Sequence, residues 1–384
     1  MRIFVTGIGA VTCVGEGVAA LDAALQRGLS GIAEFGPDYP TLPATAVAGM
    51  VRSVRHDALP RADAFLSVAI SEALAMAGLE EAPELPVFLG SAHGHLDLWQ
   101  HEYRSGKSYS GGLWRMAQNL IGQHAGKVDL TVVSTACTAS SVAFGLAFNC
   151  LQNKLLRGQG GMALVCGADA LTSFLHAGFA SLRSLAKDHC RPFDRNRSGL
   201  VLGEGAAAIL LETEAHAAQR AARPLAEVAG YGFGADGVHL TAPDPIGAGA
   251  STAMRRACNA AQLTTPPGFI NAHGTGTRLN DRMECLAIKR VLGSAVSNCP
   301  LTSTKPITGH MCGAAGAIEL VNTILNLQSG LVPPILGFNA PDKEFTDFDF
   351  VRDQARRGDF RTALSINSGF GGTNTAVVLR QVPQ

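Results

Sequence analysis

The chain has 384 residues, 47% of them hydrophobic and 16% charged, which is enough apolar matter for more than one core, or for a duplicated one, and excludes a disordered tail. Its 31 basic and 31 acidic residues cancel, so no overall field attracts nucleic acid or an anionic membrane, and any acidic partner must be held by a local patch. No apolar window approaches the roughly 20 uninterrupted residues of a membrane helix, so a soluble protein is expected.

"RIFVTGIG" at the start reads as a strand entering a turn; with no cleavage region it is not a signal peptide. Its continuation "GIGAVTCVGEG" has the look of a dinucleotide fingerprint, but the glycine spacing fails and no acidic residue closes a second strand, so a nucleotide cofactor is not expected. A helix is predicted over 62–78, strands at "LPVFLGSA" and "LTVVSTA", a helix over 138–157, and strands at "GMALVCGADA" and "GAAAILLE". From about residue 225 the rhythm restarts. "LAEVAGYGFG" is a strand, 250–262 a helix, "GFINAHGTG" a strand into a loop, 280–292 a helix, "CPLTSTK" a strand and 313–329 a helix. "TALSINSGFGGTNTAVVLR" then gives two strands around a glycine turn.

This order predicts α/β layers in two halves of similar design, 1–224 and 225–384, folded as one body. An internal match supports it. "ACTASSVAFGLAFNCLQNKLLRG" (136–158) and "MCGAAGAIELVNTILNLQSG" (311–330) both begin with Ala or Met, then Cys, then small residues, and continue as an apolar helix closed by Gly. A helix apolar all round is a buried one, so both are expected at the centre of the molecule.

Nine cysteines, at 13, 137, 150, 166, 190, 258, 285, 299 and 312, show no CxxC and no zinc-like spacing to His. Structural disulfides are not expected, the reducing cytoplasm is the expected location, and most of these thiols read as small core hydrophobes. Cys137 differs by lying where a β-rich run ends and a helix begins. Unpaired N–H groups at a helix start favour a thiolate, so this is the thiol expected to react first. His273 follows a strand in the Gly- and Thr-rich "NAHGTGTRLND". "TSTKPITGHMCGAAGAIE" adds Lys305 and His310 ahead of the second apolar helix, and Glu319 inside it, where a carboxylate needs a partner.

"TACTAS", "NAHGTGT", "KPITGHMCGAAGAIE" and "NSGFGGTN", in this order, resemble the β-ketoacyl-acyl carrier protein synthases of the elongating kind. "RPFDRNRSGLVLGEGAAAILLE" (191–212) extends the likeness over nearly the whole chain. The resemblance implies a thiolase-like fold, a duplicated five-layer α/β/α/β/α sandwich, in a homodimer or in a heterodimer with a related ketosynthase-like subunit. It implies no resident cofactor or metal, and substrates carried on the phosphopantetheine of an acyl carrier protein. Cys137 matches the family's nucleophile, and His273 and His310 its two histidines that polarise the malonyl thioester. Lys305 and Glu319 match a lysine and a supporting glutamate of the same site, and Thr275 and Thr277 the threonines that contact the pantetheine arm. The backbone N–H groups of Cys137 and Phe370 would form the oxyanion hole, with Phe370 also gating the acyl pocket. Non-catalytic relatives have lost the cysteine; this chain keeps it. A thiolase acting on coenzyme A esters is the alternative that the glycine-rich motifs disfavour.

The chain departs from the family in two places. The segment between Gly90 and Thr131 is short and unusual, and Ser368 stands before "GFGG" where an aromatic residue is common, which implies a roomier pocket and an acyl donor other than a plain saturated long chain. His93, His95 and His101 lack acidic or cysteine partners at metal-ligand spacing and read as surface or pocket-wall residues. Arg61, Arg191, Arg195 and Arg197 offer local positive charge for an acidic carrier, with internal salt bridges as the competing reading.

Overall fold

The computed structural model of the chain describes residues 2–34, 46–54, 60–80, 83–108, 111–123 and 128–382. The first half contributes strands β1 (Ile3–Thr12), β2 (Leu85–Gly90), β3 (Val128–Val133), β4 (Met162–Asp169) and β5 (Gly205–Thr213), side by side in the order β3-β2-β4-β5-β1. The second contributes β6 (Ala226–Ala235), β7 (Phe269–Asn271), β8 (Leu301–Thr302), β9 (Thr362–Gly369) and β10 (Thr373–Arg380), in the order β8-β7-β9-β10-β6. Numbered within each half, both orders are the same. The directions agree too: two parallel pairings at the outer edge, then two antiparallel ones. The two sheets meet where β1 and β6 pair antiparallel at Phe4↔Glu227 and Val5↔Ala226.

The helices that build the layers and the site include α1 (Arg61–Met76), α2 (Leu96–Arg104), α3 (Leu113–Gln123), α4 (Ala139–Leu156), α5 (Ser173–Ser181), α6 (Ala248–Ala260), α7 (Arg278–Leu292) and α8 (Ala315–Ser329). Alternation within the buried strands sorts them into layers. On β5, Ala206, Ala208 and Leu210 pack with α1 residues such as Phe65 and Ile70, while Ala207, Ile209 and Leu211 join Phe144 of α4 and Val321 of α8. On the far sheet, Leu364, Ile366, Ala376 and Val378 pack with Met254 of α6 and Ile288 of α7. The five-layer sandwich follows, with α4 and α8 in the middle as their all-round apolar character predicts.

The glycines that resembled a nucleotide fingerprint have a packing role. A Cβ on Gly7 or Gly9 would overlap the carbonyl oxygens of Ala73 and Ala69 on α1, and Gly230 and Gly232 of β6 stand in the same relation to Ala257 and Ala253 on α6. Close strand–helix contact is thus repeated in both halves.

The internal match is real but sits one residue off. A 3-10 turn precedes each central helix, Ala136–Thr138 before α4 and Cys312–Ala314 before α8, and each opens on a residue with positive φ, Ala136 at 50° and Cys312 at 47°. Ala136 therefore corresponds to Cys312, and Cys137 to Gly313 rather than to the second cysteine.

The surface reading fails for Arg61, Arg197 and His95, whose partners are distant in sequence, and the competing reading of internal salt bridges holds for the two arginines. Arg61 is buried and paired with the fully buried Glu204; Arg197 is buried and bonds Asp342 at 2.9 Å. Neither can meet a carrier. Arg191 pairs with Asp188 at 2.6 Å, which leaves Arg195 as the exposed member of the four. His95 is no surface or pocket-wall group: it is fully buried and shares a 2.7 Å hydrogen bond with Asp63, whose other oxygen accepts from Asn119 at 2.5 Å. His93 lies 3.6 Å from the carboxylate of Asp169, and His101 stands on α2. Among the described residues no group of three or more His, Cys, Asp or Glu could hold a metal ion, and no helix is long and apolar enough to cross a membrane.

Candidate active site

Cys137 occupies the 3-10 turn between β3 and α4, and its Sγ stands 3.0 Å from Nε2 of His310. His310 is held between backbones. Its N–H donates to Val201 O at 2.7 Å and its carbonyl accepts from Gly203 N–H at 3.0 Å. The "GLVLGEG" stretch of the first half thereby places a histidine of the second. The His273 ring meets that of His310 edge-on, with centroids 5.2 Å apart.

Lys305, in the turn before His310, is fully buried and spends its three N–H bonds inward, on Glu319 Oε1, on the His273 carbonyl, and on His273 Nδ1 at 3.1 Å. Asn367, at the end of β9, aims its Nδ2 at the same His273 Nδ1 (2.9 Å) and at Glu319 Oε2 (3.2 Å). The amide orientation follows from Glu319, whose carboxylate oxygen accepts and so calls for the Nδ2 side; Asn367 Oδ1 then stands 2.9 Å from Ser141 Oγ. Ammonium and amide groups only donate here, so Nδ1 of His273 carries no proton. The ring is the neutral tautomer with its N–H on Nε2. Burial, then the Lys305 charge, holds both imidazoles well below the ordinary histidine range.

The expectation of a thiolate at Cys137 does not survive burial. Desolvation pushes the thiol up to about 12, against the pull of Lys305 and of the Phe370 N–H directed at the sulfur. A helix start favours the anion by too little to offset loss of water, so the resting group is a thiol with His310 positioned to receive its proton.

A cavity of 440 Å3 leads away from Cys137, His273 and His310 past Thr275 and Thr277 to the exposed Arg278 and Leu279. The two threonine hydroxyls lie 2.9 Å apart. Phe370, in the glycine turn between β9 and β10, borders this cavity and stacks on Phe179 of α5 with centroids 5.8 Å apart. Ser368 borders it as well, its Oγ donating to Asn374 Oδ1 at 2.7 Å.

Sequence reasoning missed Asn367, Glu284 and Asp169. Glu284, on α7, accepts from the His273 N–H at 2.6 Å and the Gly274 N–H at 2.8 Å, fixing the histidine loop; burial pushes its carboxyl up to about 8 while those two bonds favour the ionised form. Asp169 gathers Ser91 Oγ (2.7 Å), Ala92 N–H (3.0 Å) and Gly313 N–H (2.6 Å), tying the strand ends to the start of α8. A second carboxylate three residues after Asp281, on the face that continues as Ala287 and Ile288, was the available signal for Glu284. Asn367 lies only three residues before Phe370, inside a motif already singled out.

Comparison with known proteins agrees with this arrangement. Residues 1–217 match the β-ketoacyl synthase N-terminal domain and residues 225–339 its C-terminal domain. The 3-oxoacyl-(acyl-carrier-protein) synthase 2 of Vibrio harveyi is 32% identical over 419 residues, spanning 100% of this chain and 99% of its own. The ishigamide ketosynthase/chain length factor superposes with a TM-score of 0.87 at 28% identity, covering 100% of this chain and 99% of that one. A type II polyketide synthase acyl-carrier protein in complex with its ketosynthase bound to the hexaketide gives a TM-score of 0.86 at 26% identity over 99% of both chains. A central thiol, two neutral imidazoles and a buried lysine, on a duplicated fold matched from end to end, place this chain in the β-ketoacyl synthase family of condensing enzymes.

Proposed function

We propose that this protein elongates acyl chains by decarboxylative Claisen condensation on thioesters carried by an acyl carrier protein. The observation that carries the reading is the pairing of Cys137 Sγ with His310 Nε2 beside a second imidazole held neutral by Lys305 and Asn367. In the first half-reaction Cys137 attacks the acyl thioester, His310 Nε2 takes the thiol proton and passes it to the carrier sulfur as the carbon–sulfur bond breaks, and the carrier leaves as a free thiol. The tetrahedral oxyanion is stabilised by the N–H groups of Cys137 and Phe370, each such donor contributing about 3–4 kcal/mol. In the second, a malonyl thioester enters past Thr275 and Thr277 and loses CO2. The electron pair left behind becomes an enolate, whose oxygen needs N–H donors rather than a strong base. His273 Nε2 supplies one; His310, with its single ring proton on Nε2 once the thiol is acylated, supplies the other. The enolate carbon then attacks the acyl-Cys137 carbonyl, the oxyanion collapses to the β-ketoacyl thioester, and Cys137 is expelled as a thiolate that takes a proton from solvent through His310. Glu319 balances the Lys305 charge, which adds to burial in keeping the imidazoles neutral. No cofactor takes part in these steps.

The partner read for it is an acyl carrier protein, and the assembly a dimer, with a second copy or with a related subunit that lacks the cysteine. The likeness to the ketosynthase/chain length factor pair supports the second form, in which this chain is the catalytic member. Nine unpaired thiols suit the cytoplasm as its setting. Intact mass measurement of the protein after incubation with acyl-carrier protein and, separately, with acyl-coenzyme A tests the reading. An acyl adduct on Cys137 from the carrier is expected; an adduct from coenzyme A alone would favour a thiolase.

Ser368 bears on substrate choice in a different way from the sequence-based expectation. It borders the cavity that also holds both threonines, so a larger residue there obstructs the arm common to every substrate. Ser368→Phe is expected to raise KM for short saturated and for long or rigid donors alike, and to lose the bond to Asn374. Selective loss of the bulky donor in a competition assay would restore the acyl-pocket reading.

A further inference from the structure

The turn that carries Phe370 is fastened from one side by the loop after β6. Gly371 N–H donates to Leu240 O at 2.7 Å, Asp236 N–H donates to Gly372 O at 2.8 Å, and Asn374 Nδ2 donates to Asp236 Oδ1 at 2.8 Å. Thr241 and Ala242 of the same loop line the cavity that leads to Cys137. This loop has little apolar packing to hold it: the side chain of Leu240 is 80% exposed.

His239 supplies what packing does not. Its Nδ1 accepts the N–H of Thr241 at 3.0 Å and the N–H of Ala242 at 3.0 Å. A ring nitrogen that accepts two N–H bonds is unprotonated, so the imidazole acts as a fixed acceptor closing residues 239–242 around Leu240. The Leu240 carbonyl, at the centre of that closure, is the one that receives Gly371. Imidazole, loop and turn thus form a single series of hydrogen bonds that ends one residue from the Phe370 N–H.

We propose that His239 is a positioning residue for the reaction: through Leu240 it sets the place of the glycine turn, and hence of the Phe370 N–H that faces Cys137. The proposal rests on the oxyanion role given to Phe370 above. Displacement of a reacting-site group by about 1 Å can cost up to 10²-fold in rate, so a loosened turn acts on kcat rather than on overall stability.

The test compares His239→Ala with His239→Asn, whose side-chain oxygen can accept from backbone N–H groups two and three residues on. Three quantities are measured: deuterium exchange of the segment 369–372, kcat and KM for loading Cys137 from a short pantetheine thioester, and Tm. For the alanine variant the expected result is at least about tenfold faster exchange and about tenfold lower kcat, with Tm within about 2 °C of the parent, as for an exposed site. The asparagine variant is expected to recover both exchange and kcat. Unchanged exchange in the alanine variant, or an asparagine variant no better than alanine, would overturn the proposal. Faster exchange with undiminished kcat would support the fastening by His239 while removing the oxyanion role from Phe370.

Discussion

Replacing Cys137 by Ala is expected to abolish acyl loading, lowering condensation by at least about 10³-fold, since removal of a nucleophile leaves only the binding and oxyanion contributions. No other thiol is among the residues that line the cavity. Cys312, whose charge would be felt at Cys137, opens the equivalent turn of the second half on the wrong residue, and burial pushes its thiol well above the ordinary range. Cys166 and Cys285 are buried in the cores that flank the sheets. The substitution removes one sulfur from a turn whose backbone is set by neighbours, so the protein should keep its Tm. Intact mass spectrometry after incubation with acyl-carrier protein reads the result directly, and an adduct of undiminished yield on the alanine variant would move the nucleophile elsewhere.

The second large effect separates the two histidines, which the sequence presents as equivalent. His273→Ala removes an N–H donor held in place by Lys305 and Asn367 but leaves the pairing of His310 with Cys137 untouched. Loading should persist while CO2 release from malonyl-carrier protein falls about 10²–10³-fold, the usual cost of one oxyanion donor. His310→Ala should slow both half-reactions, because its Nε2 touches the sulfur and receives its proton. Single-turnover loading and radiometric CO2 release, measured on both variants, decide the matter. Equal loading rates in the two would mean that the thiol proton leaves by another route. Wild-type CO2 release in both would remove the donor role from the pair. The alanine at 273 also exposes a buried Lys305–Glu319 pair to an imperfect partner set, so Gln, which keeps an N–H donor, is the useful companion variant; partial recovery of CO2 release is expected from it.

A good part of this protein was legible before any coordinate. Strand and helix assignments rest on periods of two and of 3.6, which are local properties of a short window, and the central position of the two helices over 139–156 and 315–329 followed from their apolar character all round. The chemistry-bearing residues were found because they sit in compact motifs, each at the end of a strand or the start of a helix.

Tertiary structure alone decided the rest, and in each case the reason is the convergence of distant segments. Cys137 and His310 are 173 residues apart, and Arg61 and Glu204 143, so neither the proton acceptor for the thiol nor the burial of a supposed surface arginine could be read from local context. The ionisation of Cys137 depends on how much water the assembled layers exclude, a quantity that no window of sequence contains, and that exclusion outweighed the helix start. The tautomer of His273 follows from two donors, Lys305 and Asn367, brought in from separate loops. Even the duplication, visible as a repeated run of small residues, took its true register, with Cys137 opposite Gly313, only from the backbone turns that precede the two helices. Local sequence specifies which element forms and which residue types stand at its ends; the electrostatic state of those residues is a property of what the fold packs against them.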